Sequence, residues 1–386
     1  MRIALISMSG ESAAAVRLAG RTLAWHQLLA ALSLSCERIV CLADAPGPDL
    51  AALQREAERR GASFHAVAHH RTLSGLVSAA DTLLVFAPGV LAEPEWLAQA
   101  FGARAGVAVL PAAGAVERGF ERIDRDRAWA GVLATRGDAV EALVGLPPDA
   151  DPIAGLLRVA LQRGGTPIGV PDQWLDDGHW ALVATQAAAE RYQADWYGRN
   201  VPAPSLLLPA YALAHRAARA IFGRVRESGR LAAGLVAAGL ALAIGAGAAG
   251  YLGQTTAAVA ALTIAAMVSA IGMALGRFAR AGTGDRTARW PDEVRRAAID
   301  LALVATAASP REFEGWTAGF AALVLVVTIR LAEEPAAPKP LRPFGDRALI
   351  LLALTGLAAL GAFPLGMAAL GLAGLCLRLF WPVARN

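Results

Sequence analysis

Few residues in this chain have chemistry to offer, and they are scattered. Asp172, Asp176, Asp177 and His179 crowd one short stretch. Carboxylates beside a histidine are raw material for a divalent-metal or acid–base site. Neighbouring side chains on a strand face opposite ways, however, so Asp176 and Asp177 would not converge. Asp176-Asp177-Gly178 reads more simply as a turn. His65 and His69 have the four-residue spacing of a helical metal pair. His65 falls in an apolar, β-competent run, which argues against that pair. The dense charge of Glu121–Trp129 reads as a substrate loop or as a solvated strand edge or hairpin. No Gly-x-Ser-x-Gly elbow and no Cys-x-x-Cys pair occurs. Cys36, Cys41 and Cys376 lack metal spacing and read as reduced, buried thiols.

Two further residues stand out because of their surroundings. No charged side chain occurs between Leu231 and Gly276, and Arg277 ends that run. Asp300 lies in another apolar stretch. A carboxylate at the centre of a membrane span costs about 2.5–3.5 kcal/mol, so it needs a partner or a polar cavity. One account pairs Asp300 with Arg295 or Arg296 near the cytoplasmic end. The other places it in a polar pocket with Arg277.

The elements that must position these residues divide the chain in two. It has 386 residues, 56% hydrophobic and 18% charged, below the roughly 25% charged of a soluble domain. A purely soluble, a disordered and a disulfide-rich secreted protein are therefore excluded. The net charge of +4 says little about nucleic acid, and no nucleic-acid partner is expected. Lys339 is the only lysine, which reads as genome composition. Met1-Arg2 precedes too short an apolar run for a signal peptide, so none is expected.

Residues 1–200 alternate short apolar runs with helical stretches. Ile3–Ser7, Arg38–Ala43, Phe64–Val67, Leu83–Phe86 and Val107–Leu110 read as strands. Thr22–Leu34 and Leu50–Arg60 read as helices. This rhythm predicts a Rossmann-like α/β domain with a parallel sheet and ligand loops after strands one and four. Val201-Pro202-Ala203-Pro204-Ser205 breaks the structure, and residues 201–230 read as a linker and juxtamembrane helix. Arg216, Arg219, Arg226 and Arg230 share a face of that helix, beside Leu213, Ile221, Phe222 and Val225. Such a helix suits an anionic membrane surface; the other reading is ordinary domain packing.

Residues 231–386 predict an all-α domain of six spans, near 231–250, 255–276, 296–309, 316–329, 348–361 and 365–377. Arg277, Arg280, Arg286, Arg289, Arg295 and Arg296 crowd one connection. Arg330, Lys339, Arg342 and Arg347 crowd another. Arg311 is the only cation in the opposite loops. The positive-inside rule then puts both termini on the cytoplasmic side of the inner membrane, with membrane lipids as partners.

Gly20-Arg21-Thr22-Leu23, His26-Gln27-Leu28 and Glu37-Arg38-Ile39-Val40 together resemble the sugar-phosphate nucleotidyltransferases over roughly residues 1–195. That resemblance implies a nucleotide loop at residues 8–15 and a D-x-D metal motif at the end of the fourth strand. Here the loop is Met8-Ser9-Gly10-Glu11-Ser12-Ala13-Ala14-Ala15, with Arg17 and Arg21 as its only nearby phosphate-binding cations. Ala87 and Gly89 stand where D-x-D belongs. The family's W-x-D-x-D segment matches Trp174 and Asp176, with Gly178 at its second aspartate.

A nucleotidyltransferase-like half before six spans resembles the bifunctional proteins of inositol-phospholipid synthesis. In those, a cytidylyltransferase is fused to a CDP-alcohol phosphatidyltransferase. The second family carries D-x-x-D-G-x-x-A-R and then G-x-x-x-D-x-x-x-D, whose carboxylates hold two divalent metals. The matching stretch is Ser269–Arg277, with Ser269 and Gly272 at aspartate positions and Arg277 at the closing arginine. Asp300 matches the last aspartate, with Arg296 and Asp292 at the positions before it. Alternatively, Ala288-Arg289 closes the first motif, and Ala281 and Gly284 then replace the aspartates.

The leading expectation is a catalytically degenerate relative with a scaffolding or regulatory role, without cofactor. It would act as a homodimer or as the partner of an active transferase. The second is an active transferase using Arg277 and Asp300, with Mg²⁺ or Mn²⁺. The third is a lipid or small-solute translocator.

Overall fold

The computed structural model describes residues 1–10, 16–102, 104–145, 147, 150–222, 228–282, 290–309 and 316–381. The chain forms two compact units, Met1–Tyr197 and Gly198–Asn386.

The first unit contains strands β1 (Arg2–Ser7), β2 (Arg17–Leu18), β3 (Arg21–Thr22), β4 (Arg38–Leu42), β5 (Ser63–Val67) and β6 (Thr82–Phe86). They are followed by β7 (Val90–Leu91), β8 (Gly106–Pro111), β9 (Arg127–Arg136), β10 (Pro167–Gly169) and β11 (Ala181–Leu182). Helices α1 (Leu23–Ser33), α2 (Pro48–Arg59), α3 (Pro94–Phe101), α4 (Pro152–Gln162) and α5 (Gln186–Asn200) lie between or after them. Seven strands form one sheet in the order β10-β8-β9-β6-β1-β4-β5. Thr22 caps α1 by accepting a hydrogen bond from the Trp25 amide, and Pro48 opens α2.

The five predicted strands and two predicted helices all form. The sheet is nonetheless mixed, because β9 runs antiparallel to both β6 and β8. The charged run 121–127 is the reason. Asp124 accepts hydrogen bonds from the amides of Asp126 and Arg127, and this turn returns the chain beside β8. A short return of this kind forces an antiparallel pair. Eight consecutive residues of β9 are buried, as a strand covered on both faces requires. Cys36 and Cys41 are buried in this core, where desolvation pushes both thiols up to about 12. Cys376, expected to be buried, is exposed.

The second unit is helical. It contains α6 (Pro209–Phe222), α7 (Ser228–Tyr251), α8 (Thr255–Ala281), α9 (Trp290–Ala307), α10 (Thr317–Ala332), α11 (Arg347–Ala359) and α12 (Phe363–Phe380). Helices thus occupy all six expected span positions. Three of them, α7, α8 and α12, are long and apolar enough to cross a membrane, with 24, 27 and 18 residues. At 1.5 Å per residue, α10 and α11 reach only about 24 and 20 Å, and α9 is rich in charge.

Small residues set the packing. A Cβ on Gly239 of α7 would lie 2.7 Å from the Ser269 Cβ of α8. A Cβ on Gly247 of α7 would lie 3.0 Å from the Ala302 Cβ of α9, and one on Gly374 of α12 would lie 2.2 Å from Thr328 Cγ2 of α10. Backbones come this near where association relies on packing rather than on expelling water. Large apolar side chains point outward instead: Ile264, Leu301, Phe320, Leu323, Val327, Leu352 and Leu372 are all more than half exposed. A soluble monomer rarely leaves so much apolar surface open.

Helix α6 packs along α8 through Ala212, His215 and Ala218, with His215 and Phe222 against the Phe278 ring. Leu213, Arg216 and Arg219 face outward. Arg226, Val225, Arg286, Arg289, Ala288, Gly284, Arg311 and the loop residues Glu11–Ala15 lie outside the described residues.

Candidate functional site

In the second unit, the ends of α8 and α10 meet the starts of α9 and α11. Asp346 fixes this junction. Its buried carboxylate caps α11 at the Leu349 amide and also accepts from the Ala210 amide at 2.8 Å, tying α6 to α11. Burial pushes this carboxyl up, against the pull of those backbone donors.

A cavity of about 340 Å³ opens at the junction. Tyr211 and His215 of α6, Met273 and Arg277 of α8, and Arg342 and Glu334 from beyond α10 are among its lining residues. Asp292, Arg295, Arg296 and Glu333 also face it. The charges fall into two classes. Asp292 and Glu333 are engaged with arginines. Arg277, Arg342 and Glu334 are exposed and have no ion-pair partner among the described residues. Burial, with Arg219 and Arg277 adding repulsion, holds His215 below its usual range and keeps it neutral at pH 7.

Behind the cavity wall runs a continuous ladder of ion pairs. Arg295 Nη2 lies 2.7 Å from Asp292 Oδ1, and Arg296 donates to the other oxygen of Asp292. Arg296 Nη1 also reaches Glu333 Oε2 at 3.2 Å. Glu333 accepts in turn from Arg347. Arg347 grips Asp300 in a fork, Nε to Oδ1 at 3.0 Å and Nη2 to Oδ2 at 3.1 Å. Arg330 Nη2 closes on Asp300 Oδ2 at 2.7 Å and donates onward to Glu293. Asp300 is 6% exposed and Arg347 1%. Four arginines thus meet four carboxylates, and the ladder is neutral.

The structure brings together some of the sequence candidates and separates others. Arg277 lines the cavity, whereas Asp300 lies outside its lining. Asp300 pairs with Arg330 and Arg347 rather than with Arg295 or Arg296, which turn to Asp292. By sequence Arg330 and Arg347 read only as loop charges, and Glu333 carries no site signal. The only sequence signal is that a carboxylate in an apolar stretch needs a cationic partner; which arginines supply it depends on how the helices pack.

A divalent metal fits neither unit's described residues. Ser269 is fully buried and donates its hydroxyl to Ala265 O at 2.7 Å. A Cβ on Gly272 would lie 2.9 Å from both Ala232 O and Leu235 Cβ. The carboxylates that remain, Asp292 and Asp300, are saturated by guanidinium groups. In the first unit, Gly89 has φ +81°, and a Cβ there would lie 2.6 Å from Val183 O. Gln27 ties the same loop by donating to Ala87 O and Val90 O. Asp176 pairs with Arg118 at 2.6 Å, His179 pairs with Glu93, and Gly178 has φ +72°. His65 sits in β5 and His69 beyond its end. Among the described residues no three histidine, cysteine or carboxylate side chains cluster as metal ligands. Of the expected phosphate contacts, Arg17 is held by Asp49 at 2.6 Å, and Arg21 stacks 4.3 Å over the Trp25 ring.

No known family model and no curated protein matches the sequence. Solved structures similar to the N-terminal half are nucleotidyltransferases. The inositol-1-phosphate CTP transferase from T. maritima is 14% identical with a TM-score of 0.39, covering 50% of this chain and 95% of that one. A UDP-glucose pyrophosphorylase complexed with UDP-glucose is 12% identical with a TM-score of 0.37, covering 52% and 99%.

Proposed function

We propose that this chain is a six-span protein of the inner membrane that binds an anionic phospholipid headgroup without transferring it. In this reading it acts as a scaffold or regulatory partner, and both its termini are cytoplasmic. One observation carries the reading. The cavity's Asp292 and Glu333 are consumed by arginines, while Arg277 and Arg342 stand exposed on its wall. A site meant for a divalent ion needs free oxygen ligands. A site with spare guanidinium groups suits a phosphate, which Arg grips in a planar fork. The outward apolar side chains of the helices supply the lipid contact.

The test uses the full chain in lipid nanodiscs. Phosphatidylglycerol should be retained over phosphatidylcholine through purification into detergent, as read by mass spectrometry. The Arg277→Ala/Arg342→Ala variant should lose that preference. Incubation with Mg²⁺ or Mn²⁺, CDP-diacylglycerol and a polyol should release no CMP. Metal-dependent CMP release that disappears in Asp300→Asn would replace this reading with the active transferase. Equal retention of both lipids would remove the headgroup site.

A further inference from the structure

We infer that the arginine ladder does the bracing work of a divalent cation in this bundle, so that the second unit is stable without one. This goes beyond the proposed headgroup site and rests on it only in denying a resident metal. Three guanidinium groups each bridge two carboxylates. Arg296 spans Asp292 and Glu333, Arg347 spans Glu333 and Asp300, and Arg330 spans Asp300 and Glu293. Bridging acids from separate helices is what a bound divalent ion accomplishes. Here the bridges join α9, the end of α10 and the start of α11.

The geometry is consistent in three independent respects. The positive and negative charges balance along the ladder, so the bundle carries no uncompensated charge into its interior. Arg347 is buried and fork-bonded, which a mobile surface arginine would not be. The Gly272 and Ser269 positions are closed by α7 packing, so acids cannot be supplied from α8. Arginine is also the cation that loses least on leaving water, because its charge is delocalised and weakly hydrated.

Removing one bridging arginine should therefore turn a metal-indifferent protein into a metal-responsive one. The experiment follows thermal unfolding of the full chain in detergent, by tryptophan fluorescence, in EDTA and in millimolar Mn²⁺. For the natural sequence the two midpoints should coincide. For Arg347→Met, the EDTA midpoint should fall by about 10 °C. Mn²⁺ should then raise it, and manganese paramagnetic resonance should count one more bound ion than in the natural sequence. Should Arg347→Met not fold, Arg296→Gln takes one guanidinium from each of Asp292 and Glu333 at a less buried position and is expected to show the same response.

An EDTA-induced drop in the natural sequence would overturn the inference by revealing a resident ion. So would a variant whose midpoint ignores Mn²⁺. Neither readout involves lipid retention, so failure of the ladder and failure of the headgroup site remain distinguishable.

Discussion

Asp300 offers the sharpest test of what holds the helical unit together. Asp300→Asn keeps the side chain's shape and removes its charge. Arg347, 1% exposed, would then keep Glu333 as its one full counter-charge, and Arg330 would keep only Glu293. Breaking a buried ion pair from one side costs about 3–5 kcal/mol, because the orphaned charge stays buried. In a unit of this size each kcal/mol moves the midpoint by about 2–4 °C, so a fall near 10 °C is expected. Arg347→Met should cost a similar amount from the other side.

The double variant Asp300→Leu/Arg347→Met removes both charges and fills the space with apolar atoms. Such swaps are often neutral, so the double variant should lose less than either single one. The assay is thermal unfolding in detergent, with Leu301→Ala as the control: Leu301 neighbours Asp300 but is 69% exposed. Two results would refute the reasoning. Either the double variant loses the sum of the two single losses, or Asp300→Asn moves the midpoint no further than Leu301→Ala.

Three other expectations follow from local geometry. Gly89→Asp, which rebuilds half of a D-x-D motif, should destabilise the first unit by more than about 2 kcal/mol, because φ is +81° and Val183 O blocks the Cβ. Denaturant unfolding of the full chain checks this, and unchanged stability would contradict it. Gly239→Leu should loosen α7 from α8 by about 1–3 kcal/mol, whereas Gly234→Leu, with nothing within 4 Å of its Cβ, should be tolerated; parallel melts of the two variants decide. His26 donates from Nε2 to Leu18 O, and burial lowers its pKa from 6.5 to about 4. The unfolded chain therefore binds a proton that the folded one refuses. Stability should fall as pH drops from about 6.5 to about 4, by at most about 3 kcal/mol, and then level off. A His26→Gln variant should lack that slope in denaturant melts taken across this range.

The first unit was legible because its strands are short apolar runs with turns between them, and local pattern suffices for such elements. Of β9, local pattern showed only its charged edge at the hairpin, and not its continuation to Arg136. Its start lies inside the charged run, so the run's density hid a strand whose next residues are apolar and buried. The helices of the second half were legible for a similar reason: the absence of charge over 231–276 is unambiguous. The candidate site was legible only in part. Arg277 could be placed by its position at the end of α8. The partners of Asp300 could not, because ion pairing between helices far apart in sequence depends on which faces meet. Cys376 was misplaced because burial statistics for cysteine assume a water-facing exterior, and α12 presents an apolar one.

Helix α9 shows how the ladder and the apolar exterior depend on each other. Asp292, Glu293, Arg295, Arg296 and Asp300 occupy its first three turns, a composition that would keep an isolated helix of 18 residues out of a bilayer. The ladder changes that account. Asp292, Arg295, Arg296 and Asp300 are each paired inside the bundle, while Val294 and Leu301 turn outward with Glu293, which Arg330 holds. The arginines that permit this come from α10 and α11 as well as from α9 itself, so α9 cannot be neutral before its neighbours are in place. Its charge balance is therefore a property of the assembled bundle, and it follows from the same ion pairs that leave Asp300 no free oxygen for a metal.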